Sequence, residues 1–139
     1  MRREQFDDYV RRFNARDTSA FDDYLAHDVR VQNGGLHYEG VQAMKDHYGR
    51  IWSSMKETLT VKRFVADEET AAVELHTHFE VERDDPASVF GPVLAGETFD
   101  YTGIVMYRIR DLRFADIRVS YLGFERTLDG VRRSMGIPH

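Results

Sequence analysis

The chain contains 139 residues, of which 42% are hydrophobic and 31% charged, and its formal net charge is −5. This length and composition are ordinary for a soluble globular protein, so we expect one domain that spans residues 1–139. The acidic balance, with no stretch in which lysine or arginine alternates with aromatic residues, argues against nucleic-acid binding.

Other classes of protein are excluded by what the sequence lacks. Without cysteine there can be no disulfide, thiolate metal site or cysteine nucleophile, and such a chain fits a reducing compartment. No apolar run approaches the roughly 20 residues that a membrane helix requires, so no membrane span is expected. The first ten residues are basic at only two positions before they turn acidic, which is unlike a signal peptide. We therefore predict a cytoplasmic protein.

Three amphipathic helices are predicted in the first part of the chain: residues 3–14, a short helix that ends near residue 26, and residues 41–54. The apolar side chains of the first helix recur at i, i+3, i+4 and i+7, which is one helical face: Phe6, Tyr9, Val10 and Phe13. Between the second and third helices we expect a short strand over residues 29–32 and a turn at residues 33–35.

After residue 55 the apolar period changes from 3.6 to 2, which predicts strands. We expect strands over residues 58–66 and 70–83, a loop over residues 84–96 that could cover a cavity, and a long hairpin over residues 98–122. The hairpin is expected to turn at Asp111-Leu112, and the tail after residue 124 to be a short helix or irregular. Helices followed by strands indicate an α+β fold, with a cone-shaped, curved antiparallel sheet around the long amino-terminal helix and two further helices.

The strand over residues 70–83 carries the clearest candidates for acid–base chemistry. Alternation puts His76 and His78 on one strand face, and Asp100 on the neighbouring strand could tune them. Two arrangements remain open: either the apolar face with Leu75 lines the cavity, or the histidines do. The predicted catalytic residues are Asp100, His78 and His76. The H-x-H pattern also loosely fits a metal site, but other parts of that motif are missing, so no metal is expected.

Three stretches carry a family resemblance: FNARDTSAFDDYLAHDVRV, YEGVQAMKDHYGRIW and GIVMYRIRDLRFADIRVSYLGF. In this order they resemble the nuclear-transport-factor-2-like superfamily, which includes ketosteroid isomerases, SnoaL-type polyketide cyclases, limonene epoxide hydrolases and scytalone dehydratases. The resemblance spans about residues 3–126 and implies a cystatin-like or SnoaL-like α+β barrel. Because this scaffold serves many activities, the resemblance alone selects none.

Residues at matching positions argue against two of these activities. Tyr9 and Tyr48 fall where ketosteroid isomerases place their oxyanion-hole and supporting tyrosines. However, Asn33 stands at the position of their general-base aspartate and Ile104 near that of their protonated aspartate. An amide cannot remove the proton and an isoleucine cannot donate a hydrogen bond. The Asp-Arg-Asp group of the epoxide hydrolases is replaced by Leu75, Thr77 and Val119, so SnoaL-type cyclases and SnoaL-like proteins are the nearest comparison.

The resemblance also implies which face of the strand after residue 98 points inward. The face expected to line the cavity carries Asp100, Thr102, Ile104 and Met106. Burial there would raise the pKa of Asp100. The face expected on the convex side carries Phe99, Tyr101, Val105 and Tyr107. An exposed aromatic patch would pack against a second subunit, so we expect a homodimer through the convex face of the sheet.

Together these features predict a small hydrophobic-ligand pocket protein. It would act as a cofactor-independent lyase, isomerase or polyketide-cyclase-like enzyme that uses acid–base chemistry, with no cofactor. The alternative is a noncatalytic small-molecule-binding or dimerising module of the same fold. The expected ligand-binding residues are Tyr9, Phe13, Asn33, Tyr48, Trp52, Thr102 and Tyr121.

Overall fold

A computed structural model, which describes residues 1–137, contains three helices and nine strands within that range. The helices are α1 (Arg3–Asn14), α2 (Ser19–Tyr24) and α3 (Val41–Trp52). The strands are β1 (Leu25–Asn33), β2 (Leu36–Glu39), β3 (Met55–Ala66), β4 (Thr70–Val81), β5 (Asp85–Ser88), β6 (Gly91–Val93), β7 (Thr98–Arg110), β8 (Arg113–Leu128) and β9 (Val131–Ser134).

The large sheet has the strand order β2-β1-β8-β7-β4-β3, and β9 pairs with the end of β8. All of its neighbouring strands are antiparallel except β1 and β8, which run parallel. The predicted α+β architecture is confirmed, although the sheet is mixed rather than purely antiparallel. We call the face that the helices cover the inner face, and the convex face the outer face.

The first helix packs on the sheet as its apolar period predicts. Its four predicted face residues are all buried, with Phe6 and Phe13 no more than 2% exposed. At its carboxyl end the Asn14 side chain pairs with the backbone of Leu59 on β3, accepting from N–H at 2.8 Å and donating to C=O at 3.0 Å. This amide satisfies backbone groups of an edge strand that has no further neighbour in the sheet.

The sequence prediction missed strand β2 and the start of β1 at Leu25, and it differs most from the structure in two later segments. Residues 84–96, expected as a loop, contain the small antiparallel hairpin β5–β6. The tail, expected as a helix or irregular, instead extends β8 to Leu128 and returns as β9 through a two-residue turn at Asp129-Gly130. Both turn residues have positive φ, 50° and 77°, and Asp-Gly is a strongly favoured pair for such a hairpin turn. The last two residues of the predicted tail lie outside the described residues.

The turn between β7 and β8 is strained. Asp111 and Leu112 connect the paired residues Arg110 and Arg113, and both have left-handed backbone angles, with φ of 53° and 62°. Leucine pays a steric cost in that region, because its Cβ approaches the following carbonyl oxygen. The Leu112 side chain is 62% exposed, so it recovers little by packing.

Leu112→Gly is therefore expected to stabilise the protein by about 1 kcal/mol, because glycine adopts positive φ without this cost. Urea unfolding would measure the gain. Leu112→Ala is the matched control: it removes the same exposed apolar surface but keeps a Cβ, and should gain less than half as much. Equal gains from the two variants would contradict a conformational origin.

No helix within residues 1–137 is both long and apolar enough to cross a membrane.

Candidate functional site

A cavity lies between the helices and the inner face of the sheet. The centres of water-sized spheres can occupy about 80 Å³ of it, and the empty space including open solvent at its mouth is about 730 Å³. The smaller figure, which leaves out open solvent, exceeds the roughly 10–15 Å³ needed for one water. Most of the lining is apolar; its polar side chains are Tyr9, Asn33, His47, Tyr48, Glu57, Thr77, Tyr101, Tyr107 and Tyr121.

Glu57 is the only carboxyl group in the cavity lining within residues 1–137. It lies near the start of β3, between the inward-facing Met55 and Leu59, and it is only 5% exposed. Its Oε1 atom makes no hydrogen bond to any other described residue. Burial raises the pKa of Glu57 to about 8, against a smaller opposing effect of the Trp52 indole N–H. The acid is therefore mostly protonated at pH 7 and can give or accept a proton near neutrality.

Trp52 supports this acid without fully satisfying it. Its Nε1 atom is buried and, like Glu57 Oε1, forms no hydrogen bond of acceptable geometry among the described residues. The indole is near enough to affect the pKa of Glu57, but the geometry falls short of a hydrogen bond. A hydrogen bond weakens steeply when distance and angle depart from their optimum, so the indole N–H contributes little to Glu57. The Oε1 atom of Glu57 is consequently left without a hydrogen-bond partner among the described residues.

Neutral phenol groups surround the cavity. Burial raises the pKa of Tyr9 and Tyr48 far above that of an exposed tyrosine, so both stay uncharged donors. Burial also raises the pKa of Tyr121 to about 12, although its hydrogen bond to Asn33 acts in the opposite direction. In that bond the Tyr121 hydroxyl donates to Asn33 Oδ1. Asn33 therefore orients a cavity tyrosine in addition to preceding a turn.

Tyr101 reaches across Gly103 on the same strand. Its hydroxyl donates to the backbone oxygen of Ser120 at 3.1 Å. A Cβ atom on Gly103 would lie 2.1 Å from the Tyr101 hydroxyl oxygen and 2.2 Å from that same Ser120 oxygen. Both separations are too short for real contacts, so only glycine permits this arrangement of the cavity wall.

Gly103→Ala should therefore destabilise the protein by about 2–3 kcal/mol, because either Tyr101 or the β8 backbone must move. Urea unfolding measures the loss. Gly49→Ala is a useful comparison: this glycine lies inside α3, a Cβ there would meet nothing within 4 Å, and the variant should gain up to about 1 kcal/mol. A Gly103→Ala protein as stable as the parent would show that the wall yields easily.

Phe90 lines the cavity from the turn between β5 and β6. Its ring centroid lies 5.1 Å from that of Phe79, 4.8 Å from Phe99 and 5.0 Å from Phe124, distances typical of packed aromatic pairs. The segment that was expected to cover a cavity thus contributes one aromatic side chain to it.

The three predicted catalytic residues lie together but outside the cavity. His78 is directly opposite Asp100 in the β4–β7 pair, and directly opposed residues share a face. Asp100 Oδ1 lies 2.8 Å from both His76 Nε2 and His78 Nδ1. The expectation that Asp100 faces the cavity is wrong, because Leu75 and the other apolar residues of β4 occupy the inner face and leave this cluster on the outer one.

The expected rise in the pKa of Asp100 is also wrong. Partial burial acts to raise it, but the hydrogen bonds from His78 and His76 outweigh burial and lower the pKa. A proton held here would have to cross the sheet to reach a ligand in the cavity. Proton transfer in the cavity therefore needs a different acid.

The remaining outward residues of β7 require the same correction. Thr102, Ile104 and Met106 are exposed on the outer face, so Thr102 cannot contact a cavity ligand and Ile104 does not occupy a cavity position. The residues expected to meet a second subunit are instead buried on the inner side: Phe99, Tyr101, Val105 and Tyr107. The physical reason is that these larger aromatic side chains bury more apolar area against the helices.

Five of the seven predicted ligand-binding residues do line the cavity: Tyr9, Phe13, Asn33, Tyr48 and Tyr121. Trp52 lies behind this layer, with its ring centroid 5.2 Å from that of Phe13 and 5.5 Å from that of Tyr48. Contact of any of these residues with a ligand stays a prediction.

Glu57 is the residue that the sequence analysis missed. The signal was present: Met55, Glu57, Leu59 and Val61 alternate at period two, which places the glutamate in register with apolar neighbours. A charged residue in an apolar register is a candidate for a buried functional group.

Residues 1–137 contain no group of three or more histidine, cysteine, aspartate or glutamate side chains arranged to hold a metal ion.

The profile of the SnoaL-like domain matches residues 6–117. The chain belongs to the SnoaL-like domain family. This match confirms the predicted resemblance to the nuclear-transport-factor-2-like superfamily and the predicted fold class. No curated protein matches the chain.

Several solved structures share the SnoaL-like fold. A candidate polyketide cyclase from Pseudomonas putida KT2440 is 24% identical, with 85% of this chain and 89% of that one covered and a TM-score of 0.69. A candidate ketosteroid isomerase from Kribbella flavida DSM 17836 is 21% identical, with 86% and 76% covered and a TM-score of 0.61. A computationally designed 17-OHP binder is 17% identical, with 84% and 88% covered and a TM-score of 0.67. Identities this low establish the fold alone.

Proposed function

We propose that this SnoaL-like protein binds a hydrophobic small molecule in the cavity and that Glu57 exchanges a proton with it. The reaction would be that of a cofactor-independent lyase, isomerase or polyketide-cyclase-like enzyme. One observation carries the proposal: a buried carboxyl group with an unpartnered oxygen and a pKa of about 8 lines an otherwise largely apolar cavity. A perturbed acid in a cleft is a typical mark of an active site.

A single carboxyl group is enough for proton shuttling. The ionised form of Glu57 would remove a proton from a carbon next to a carbonyl group; the C–H electron pair would form the C=C bond of an enolate, and the π pair of the carbonyl would move to its oxygen. The protonated form would then return that proton to carbon, at the same or a second position. Tyr9 and Tyr48, kept neutral by burial, would donate hydrogen bonds to the enolate oxygen. A pKa near the working pH suits both halves of this cycle.

Exchange of the α-protons of 2-tetralone in heavy water, followed by NMR, tests this role. Glu57→Gln should slow catalysed exchange at least about 100-fold, because the amide cannot carry the proton. Glu80→Gln is the matched control, since Glu80 lies on the same sheet but on the exposed outer face. Exchange that is equally fast in Glu57→Gln would overturn the proposed role of this acid.

The alternative is a noncatalytic binding module. It is favoured by the lack of a second carboxyl group in the described lining and by the engagement of Asn33 with Tyr121. A similar fold also serves as a computationally designed 17-OHP binder. Saturable binding of 2-tetralone without any catalysed exchange would favour this module over the enzyme.

Two further properties predicted from the sequence remain proposals: a cytoplasmic location and a homodimer through the outer face. The outward row of β7 now supports the dimer, because it runs from acidic Asp100 through exposed Ile104 and Met106 to basic Arg108. A two-fold axis near Ile104 would set the acidic end of one copy against the basic end of the other. Analytical ultracentrifugation should find a dimer that Met106→Glu dissociates, whereas a monomeric parent would refute it.

A further inference from the structure

The charges around the cavity limit the ligands that it can hold, an inference that rests on the proposed binding function. The lining within residues 1–137 contains no lysine or arginine. A carboxylate or phosphate would therefore be buried there without a permanent cationic partner, which is strongly unfavourable. His47 is the only basic side chain in that lining, and its ring packs 5.0 Å from Tyr48. An anionic ligand is disfavoured.

A cationic ligand would find an acceptor. Glu57 Oε1 is buried and unpartnered, and buried polar atoms in proteins are otherwise almost always hydrogen-bonded. The titratable groups that interact electrostatically with Glu57 are phenols from four elements: Tyr9 on α1, Tyr38 on β2, Tyr48 on α3 and Tyr121 on β8. Burial raises the pKa of each, so they add hydrogen-bond donors but no charge. Thus an ammonium group would face one carboxyl and no competing cation among these residues.

The walls suit a cation as well. Four phenylalanines and five tyrosines line the cavity. The negative face of an aromatic ring attracts a cation, and the attraction grows when water is excluded. The formal net charge of −5 also favours the approach of a cation over that of an anion.

We propose that the ligand carries a basic nitrogen on a hydrophobic skeleton and binds as an ammonium ion beside Glu57. Its nitrogen donates to the Glu57 carboxylate, and its apolar part lies against the aromatic walls. The ligand class is thus a hydrophobic amine, for which Glu57 serves as a binding group.

Proton release follows from this arrangement. Because the pKa of Glu57 is about 8 before binding, the carboxyl group is mostly protonated at pH 7. The arriving ammonium favours the ionised carboxylate, so the Glu57 proton passes to the buffer, about one per ligand bound. As the pH is raised toward 8, affinity for the amine should accordingly increase by up to about tenfold per pH unit. Above pH 8 it should level off.

Tryptamine, tryptophol and indole-3-propionate provide matched probes, because they share one ring and one chain and differ in the terminal amine, alcohol or carboxylate. Calorimetry at pH 7 should show tryptamine binding at least tenfold more tightly than tryptophol, with indole-3-propionate weakest. In Glu57→Gln the tryptamine preference should vanish while tryptophol affinity changes less than threefold. Glu80→Gln should behave as the parent.

Titrations in phosphate and Tris give a readout that does not depend on the variant folding. The buffers differ in ionisation enthalpy, so the parent should show release of about one proton with tryptamine and none with tryptophol. Tryptophol binding as tightly as tryptamine, with no proton release, would overturn the amine inference and leave the proposed pocket intact. Binding of none of the three probes would overturn the amine inference, and the 2-tetralone measurements would then decide the proposed function separately.

Discussion

Glu57→Gln is expected to flatten the dependence of the free energy of unfolding on pH between about 4.5 and 8. The pKa of this glutamate is 4.5 when exposed and about 8 in the folded protein, where burial disfavours the charged form. Between these values the unfolded chain has released the proton that the folded chain retains. The contribution of Glu57 to the free energy of unfolding is therefore fully present below pH 4.5, where both states hold the proton. It is lost as the pH rises through 8. The loss should amount to about 2–4 kcal/mol in the parent.

Urea unfolding of the parent, Glu57→Gln and Glu80→Gln at pH 5, 6, 7 and 8 measures this dependence. At pH 8 the Glu57→Gln protein should be more stable than the parent by about 2–4 kcal/mol, and at pH 5 the two should be nearly equal. Glu80 is exposed opposite Lys56, so its variant should follow the parent within about 0.5 kcal/mol. Parallel curves for Glu57→Gln and the parent would show that the acid is ionised in the folded state throughout this range.

Much of the fold could be predicted, because the spacing of apolar residues recurs several times along each long helix and strand. The i, i+3, i+4, i+7 spacing of Phe6 to Phe13 defines α1, and the alternation along β4 and β7 defines the central strands. The parallel pairing of β1 with β8 could not be predicted, because it joins residues such as Val31 and Ile117 that are distant in sequence. The β9 hairpin had a local signal in Asp129-Gly130.

The candidate site was harder to predict, because a shift of one residue in the register of a strand exchanges the residues that face the cavity with those that face outward. Apolar residues occur on both faces of β7, so periodicity alone does not say whether Asp100 or Tyr101 faces inward. Cross-strand pairing resolves the choice: Asp100 opposes His78, and the alternate residues of β4 are strongly apolar. The same logic applied to β3 would have placed Glu57 inside.

Arg126→Met should destabilise the protein by about 3–5 kcal/mol, because it leaves a buried carboxylate without its cation. Glu97 is 1% exposed, and its two oxygens accept from Arg126 Nε at 2.9 Å and Nη2 at 2.7 Å. The same guanidinium donates to the Pro92 carbonyl at 3.0 Å, and the Leu94 N–H donates to Glu97 at 2.9 Å. The Arg126–Glu97 ion pair thus links the β5–β6 hairpin, which carries Phe90, to strands β7 and β8.

The exposed pair Arg132–Glu125 provides the matched control, since Arg132→Met removes the same group at an ion pair 3.3 Å long whose side chains are 69% and 42% exposed. Its expected cost is below about 1 kcal/mol. Adding Glu97→Gln to Arg126→Met should recover part of the loss in urea unfolding, because the double variant no longer buries an unpaired charge. If Arg126→Met costs no more than Arg132→Met, or if Glu97→Gln recovers nothing, water must replace the guanidinium at Glu97. The hairpin would then owe its position to its other contacts, which include the packing of Phe90 and the hydrogen bond from Arg50 to the Ala87 carbonyl.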